Sequence, residues 1–335
     1  MPFRTCTASM CFLMRIELRS AALFSFLLFL LAACNGDDSP QVLCDDPAAL
    51  NYAPDAVGNR DCNYPSRVVP VETVAILDGA LNEISGLEIF QDFLVGHNDR
   101  GNAPDLFFIN PNTGEPEHLI SVTNVENRDW EDLAANVTYL FIGDFGNNDG
   151  IRTDLGIHRV PKNDLYPGIS GEVHADATIA FRYPEQTVFG GENHDFDCEA
   201  SFWYNGYLYL FTKHNSNRRT NMYRIPDTPG TVHDAELLGG FEVGGRITGA
   251  DISADGAVVA LAGNRRSGNC FVWKLSNFPS GAFLEGDKEQ LVMGPFAQFG
   301  QVESVKITPD GGVFVASEAA EEFGLSPKLY FISEF

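Results

Sequence analysis

After position 68 the apolar residues fall in short runs, and nearly every run is closed within a few residues by Gly, Asn, Asp or Pro. No stretch carries apolar residues at the i, i+3, i+4 spacing of an amphipathic helix, so the pattern predicts an all-β chain. The runs also repeat. Each copy reads as a short first strand, a second apolar strand that empties into polar residues, and a third strand. The first copy takes 84–87, 93–96 and 105–110, with His97, Asn98 and Asp99 as its polar exit. The second opens at Glu131 and Asp132, runs through 139–142 into the polar 143–148, and resumes at 155–161. The third takes 197–200, 207–212 and 221–226, leaving through Lys213, His214 and Asn215. The fourth takes 248–251, 257–262 and 270–275, leaving through Asn264, Arg265 and Arg266; the fifth takes 302–305, 313–316 and 328–332, leaving through Ser317 and Glu318.

A fourth strand follows most copies, at 117–122, 177–183, 236–243 and 290–296. The fifth copy has none after it, and residues 68–77 can supply the missing strand from the other end of the repeat region. Four-stranded sheets repeated around an axis make a β-propeller, which protects its edges by circular repetition. Residues 68–335 shared among five blades give about 54 residues each, slightly longer than compact blades. Five blades is the prediction. Six is the alternative, because the long spacing between Glu131 and Glu199 has room for an irregular extra blade. A β-sandwich would have to produce the repeat by coincidence.

In a propeller the first strand of each blade lines the channel. Aligning the copies superposes Ser85, Glu131, Glu199, Gly249 and Glu303, with Asp129, Asp197 and Gln301 two residues earlier in three of them. Glutamates converging on a narrow channel need a cation, a basic partner or protons. Hard oxygen ligands without a cysteine pair suit Ca²⁺ or Mg²⁺. The candidate metal set is therefore Glu131, Glu199, Glu303, Asp144 and Asn264, with Asn98 beside them; the competing reading is a network in which Arg128, Lys213, Arg246 or Arg265 neutralises the acids. The ligand-facing candidates are Asn98, Asp99, Asn147, Lys213, Arg265 and Glu318. His97, His214, Glu131 and Glu199 are the candidates for acid–base chemistry, with His194 as a further histidine. No nucleophile elbow, phosphate-cradling glycine loop or zinc-protease helix is present, and no organic cofactor is indicated. Trp130, Trp203 and Trp273 read as blade packing, with sugar stacking as the alternative.

The first 33 residues differ in kind. Arg15 and Arg19 precede an apolar run over 21–31, and Leu31, Ala32, Ala33 and Cys34 then form a lipoprotein cleavage box. The run is shorter than the roughly 20 residues of a membrane span, so 1–33 reads as a signal peptide and Cys34 as the lipidated residue. Residues 34–43 form an acidic tether resembling the surface-export signals of Bacteroidetes lipoproteins. This resemblance implies an outer-membrane lipoprotein facing outward; without export it would face the periplasm. Residues 44–65 resemble a short module of secreted Bacteroidetes proteins, in which a cysteine, an A-x-N-Y segment and a second cysteine precede Tyr-Pro. In an oxidising compartment Cys44 and Cys62 would close it as a disulfide. Asp45, Asp46, Asp55, Asn59 and Asp61 could cup a calcium ion or be solvated turn residues. Residues 66–335 are the propeller.

The formal net charge is -24. Residues 1–33 contribute +2 through Arg4, Arg15 and Arg19 against Glu17, so the remainder carries -26. Such a charge argues against nucleic acid or an anionic membrane surface as partner, leaving the lipid on Cys34 as the only membrane contact. A small molecule, a glycan or a protein remains possible on the channel face.

The residues 84–87 with His97-Asn98-Asp99, and Asp129-Trp130-Glu131-Asp132-Leu133 with 142–148, resemble bacterial secreted propellers of the phytase-like esterase and SdiA-regulated types. The resemblance implies a propeller with an acidic, calcium-binding axial site. Two functions follow as expectations: ligand or partner binding at that face, or metal-dependent hydrolysis of phosphate ester, ester or lactone bonds. The fourth copy departs from the pattern, with Gly249 where an acid would sit.

Overall fold

A computed structural model describes residues 44–56, 62–166, 170–191, 194–214 and 217–335. The expected signal and tether, including Cys34, lie outside the described residues, and among the described residues no helix is long and apolar enough to cross a membrane. The described strands form five sheets. Blade 1 consists of Ile84–Phe90, Phe93–Asn98, Asp105–Ile109 and Pro116–Val122; blade 2 of Trp130–Ala135, Tyr139–Asp144, Gly156–Pro161 and Ala177–Arg182. Blade 3 takes Cys198–Tyr204, Tyr207–Thr212, Arg219–Pro226 and Glu236–Glu242, and blade 4 takes Arg246–Ile252, Val258–Asn264, Asn269–Ser276 and Asp287–Pro295. Blade 5 combines Gln301–Ile307, Val313–Glu318 and Lys328–Ile332 with Glu72–Ile76. Each first strand packs against the first strands of both neighbouring blades, blade 5 against blade 1 included, so the chain is a closed five-bladed propeller.

Closure comes from Glu72–Ile76, which pairs antiparallel with Lys328–Ile332 as the fourth strand of blade 5. The segment expected as one closing strand is split by Pro70, whose missing N–H cannot serve a ladder. The part before it, Ser66–Val68, pairs in parallel with Gln290, Leu291 and Val292 on the outer edge of blade 4. The long spacing between Glu131 and Glu199 holds no sixth blade. It holds Gly171–Val173, a parallel fifth strand on blade 1, while His233–Asp234 from blade 3 does the same for blade 2. Such short strands cover outer edges that would otherwise offer unpaired backbone groups.

Apolar side chains from adjacent blades interlock in five clusters. The cysteine module joins one of them. Cys44 and Cys62 form a disulfide, and Cys44, Ala49 and Tyr64 are buried against Phe241 and Trp273. Tyr64 meets those two rings edge-on at 5.9 and 5.5 Å. Asp46, which a calcium cup would have required, is occupied: it accepts hydrogen bonds from Tyr64 Oη and Lys288 Nζ, each at 2.8 Å. Asn59 and Asp61 lie outside the described residues. Cys198 and Cys270 are buried free thiols in different blades.

Every first strand carries a β-bulge. The bulged residues are Gly86, Glu131, Glu199, Thr248 and Glu303, as the pairing on either side of each fixes. A bulge adds one residue and re-aims a side chain. The expected alignment was therefore one residue off in two blades, placing Ser85 and Gly249 where Gly86 and Thr248 sit. Adjacent residues in the bulge part company: Glu131 faces the mouth where the first strands begin, while Asp132 turns across the axis. Asp132 Oδ2 accepts hydrogen bonds from Ser201 N of blade 3 at 2.8 Å and Ala250 N of blade 4 at 3.1 Å, and Oδ1 accepts one from Leu133 N at 2.8 Å. One carboxylate thus ties three blades together and plugs the axis between its two mouths.

Candidate cation site at the acidic axial mouth

The mouth at the start of the first strands gathers Asp99 from blade 1, Asp129 and Glu131 from blade 2, Asp197 and Glu199 from blade 3, and Glu303 and Glu318 from blade 5. Asp99, Asp129 and Glu131 each bring one oxygen to a point where all three atoms lie within 4.8 Å of one another. Asp129 is 5% exposed and its Oδ1 has no hydrogen-bond partner, although Arg100 Nε lies 3.9 Å away. Gly146 frames the cluster. A Cβ there would lie 2.1 Å from Glu131 Oε1 and 2.5 Å from Asp129 Cγ, so only glycine lets the backbone pass this close. Gly86 is constrained differently: with φ at +63°, its absent Cβ would meet His97 Nε2 at 2.8 Å and Leu133 N at 2.9 Å.

The neighbouring carboxylates are served by Lys213. Its Nζ donates to Glu199, lies 3.3 Å from Asp197 Oδ2 and donates to Asn148 Oδ1 at 3.2 Å. Burial pulls the Lys213 ammonium down, but Glu199, Asp197 and Glu131 outweigh it and hold it above its ordinary value. One buried ammonium, the half-exposed Arg100 and, beside Asp129, the mostly buried Arg152 face seven carboxylates. Burial, with Asp99 adding repulsion, raises Asp129 to about 7. Burial and then Glu199 and Asp99 hold Glu131 well above the usual carboxylate range. Glu199 is raised by burial despite Lys213 beside it, and Glu303 by burial and Glu318. Glu318 itself reaches about 8, through burial and then Asp99. Burial first, and then the crowding of carboxylates, shifts this mouth toward the protonated form.

The other expected residues are placed apart from this cluster or behind it. Asp144 is engaged by Arg152 Nη2 at 2.9 Å and His158 Nε2 at 3.3 Å, and accepts from Asp129 N at 3.2 Å, so it supports Asp129 from behind. Asn264 donates to Val302 O at 3.1 Å, stitching blade 4 to blade 5. Asn147 is held by Asp197 Oδ1 at 2.6 Å, Phe196 O at 3.2 Å and Arg152 N at 2.9 Å. Asn98 donates to Ala80 O at 2.7 Å while its buried Oδ1 has no partner. Arg265 lines a separate groove of about 410 Å³ with His214 and Arg246. His97 is fully buried, edge-on to Trp130 at 5.5 Å, and burial lowers it to about 4. His214 is buried between Thr212 Oγ1 at 2.9 Å and Asn217 Oδ1 at 3.1 Å, and burial lowers it too. Neither imidazole touches the acid cluster. Trp130 and Trp273 are buried packing, whereas Trp203 is half-buried. Arg100 and Arg152 escaped the repeat pattern because they lie in loops between its strands; Gly146 stood within the second copy's polar exit, but nothing in the pattern marked its close approach to the acids.

Oxygen donors from three converging carboxylates, one of them with an orphaned oxygen, fit a hard divalent cation of the Ca²⁺ or Mg²⁺ kind. They do not fit a soft metal, since neither thiol nor imidazole faces them.

No protein-family model matches the chain, and no curated protein does. Solved structures share the propeller architecture loosely. A candidate 6-phosphogluconolactonase from Bacteroides uniformis is 14% identical at a TM-score of 0.36, the match covering 73% of this chain and 66% of that one, just under two thirds of its length. A candidate glucose dehydrogenase-type oxidoreductase from Thermus thermophilus is 13% identical at 0.39, covering 79% and 99%. The WD40 propeller domain of Doa1 is 11% identical at 0.38, covering 78% and 96%.

Proposed function

We propose that this chain is an envelope lipoprotein, anchored by lipid at Cys34, whose propeller holds a divalent cation with Asp99, Asp129 and Glu131 and offers it to a ligand at the acidic mouth. The ligand is a small molecule, a glycan or a protein segment, and the protein faces outward from the outer membrane or, failing export, the periplasm. The observation that carries the reading is Asp129: a nearly buried carboxylate with an orphaned oxygen, raised to about 7 by burial, in a cluster that the Gly146 backbone approaches closely. A cation would replace the protons and supply the missing charge, coupling its binding to proton release.

Melting with and without Ca²⁺, Mg²⁺ or chelator tests this in the wild type and in an Asp129→Asn, Glu131→Gln double variant. A ligand at a hundredfold excess over its Kd stabilises by about 2.7 kcal/mol, so the wild type melts higher with cation and the double variant does not respond. Equal melting of the wild type in saturating cation and in chelator would sink the proposal. Cation-dependent turnover of generic ester and phosphoester substrates, lost in the double variant, would assign hydrolysis to the same cation acting as Lewis acid; turnover that survives in the double variant would place hydrolysis elsewhere.

A further inference from the structure

The axis has a second mouth, at the opposite ends of the first strands, with different chemistry. Residues from all five blades enclose a cavity of about 490 Å³ there. Its floor is Lys306, whose Nζ lies 2.8 Å from Glu88 Oε1 and 2.9 Å from Asp251 Oδ1. Glu88 also accepts from Ile89 N at 2.8 Å and Asp251 from Ile307 N at 2.8 Å, so both carboxylates are occupied within the protein. This triad carries one net negative charge. Lys162 on the wall offsets it.

Lys162 is half-buried, 5.9 Å over the Phe90 ring, and forms no ion pair among the described residues. Burial pulls its ammonium below the ordinary value; Glu88 resists and Lys306 adds to the fall. It is the one charged group on the wall without a directly bonded counterpart. Ile89, Ile252 and Trp203, all half-buried, line the same cavity. Trp203 donates its indole N–H to Asp227 Oδ2 at 2.7 Å, which fixes the ring. Ligand cavities have this make-up, apolar walls with a few placed polar groups.

We infer that this cavity binds a small monocarboxylate with an apolar or aromatic body, its carboxylate at Lys162 and its body against Trp203 and Ile252. An anion answers the unmatched ammonium. A second negative charge would meet the surplus of Glu88 and Asp251, which disfavours phosphate and dicarboxylates. A neutral amide of the same shape would leave Lys162 unmatched.

Titration of the full chain with phenylacetate, followed by calorimetry and by tryptophan fluorescence, tests the inference; a ligand this small binds in roughly the millimolar range. Trp130 and Trp273 are buried in the blades, so a fluorescence change reports Trp203. Lys162→Gln should weaken phenylacetate about tenfold or more, and Ala135→Phe, which fills the cavity without touching a charge, should do the same. Asp129→Asn, at the other mouth, should leave it unchanged, which separates this site from the cation site. The inference is overturned by absence of phenylacetate binding, by equal binding of phenylacetamide, by tighter binding of inorganic phosphate, or by undiminished affinity in both Lys162→Gln and Ala135→Phe.

Discussion

The two mouths of the axis are built by the same five strands, yet their charges are settled in opposite ways. At the far mouth Lys306 faces Glu88 and Asp251, and Lys162 offsets the remaining charge. At the near mouth Lys213 takes Glu199 and Asp197, leaving Asp99, Asp129, Glu131, Glu303 and Glu318 with only Arg100 and Arg152 nearby and with raised pKa values. The far mouth balances its charge within the protein and leaves only the Lys162 ammonium without a bonded partner, whereas the near one keeps a surplus of carboxylates. A bulge in each strand makes the difference possible, since it sends Glu131 to one mouth and Asp132 to the plug between them.

The largest effect expected is from removing each lysine. Lys306→Met and Lys213→Met each leave buried carboxylates uncompensated, a loss of about 3–5 kcal/mol. Chemical denaturation should show millimolar Ca²⁺ restoring much of the loss in Lys213→Met and little in Lys306→Met; equal rescue of both would erase the contrast.

Next comes pH. Asp129 and Glu318 have folded values near 7 and 8, above those of the unfolded chain. The folded protein therefore binds more protons than the unfolded one between roughly pH 4 and 8, so cation-free stability is fully present below about pH 4 and declines as pH rises through that window. Melting temperature in chelator should fall from pH 5 to 8.5, and saturating Ca²⁺ should flatten the slope. A flat profile in chelator would mean that the near mouth is already satisfied.

A smaller effect belongs to Gly146→Ala, whose Cβ would intrude between Glu131 and Asp129. It should weaken cation binding about tenfold, or about 1.4 kcal/mol, as read by calorimetry, while leaving phenylacetate binding at the far mouth unchanged. Smallest is Thr248→Val. Its hydroxyl donates to Val302 O at 2.7 Å between blades 4 and 5, so the variant should lose about 1 kcal/mol by denaturant titration with cation affinity unchanged.

Much of this architecture was legible because the repeat is written in run length and polar exits, both direct consequences of strand burial. The five blades, their second and third strands, and closure from the amino-terminal side follow from that grammar. Register did not follow, since a bulge inserts a residue without any compositional mark; Gly86 and Thr248 were displaced by one position for that reason. The spacing before Glu199 was ambiguous because Gly171–Val173 is too short for a period to reveal and pairs with another blade's edge. At the near mouth the convergence of Glu131, Glu199 and Glu303 could be read from alignment. Lys213 stood among four basic residues that could neutralise them, but its choice of Glu199 and Asp197, and the withdrawal of Asp144 by Arg152, run through loops whose path is set by tertiary contacts rather than by the repeat.

Closure of the ring also sets a clock. Glu72–Ile76 finds its partner only in Lys328–Ile332, roughly 250 residues later, and at synthesis rates of about 5–20 residues per second that partner appears some 10–50 s after the closing strand. Until then the inner edge of that strand is unmatched, and blades 1 to 4 can stack only as an open arc. The cysteine module fastens to blade 4 through Asp46 and Lys288, and so can dock once blade 4 exists, bringing the waiting strand alongside before its own partner has been made. The module would then act as a bookmark, holding the chain's place in the ring until the last blade arrives.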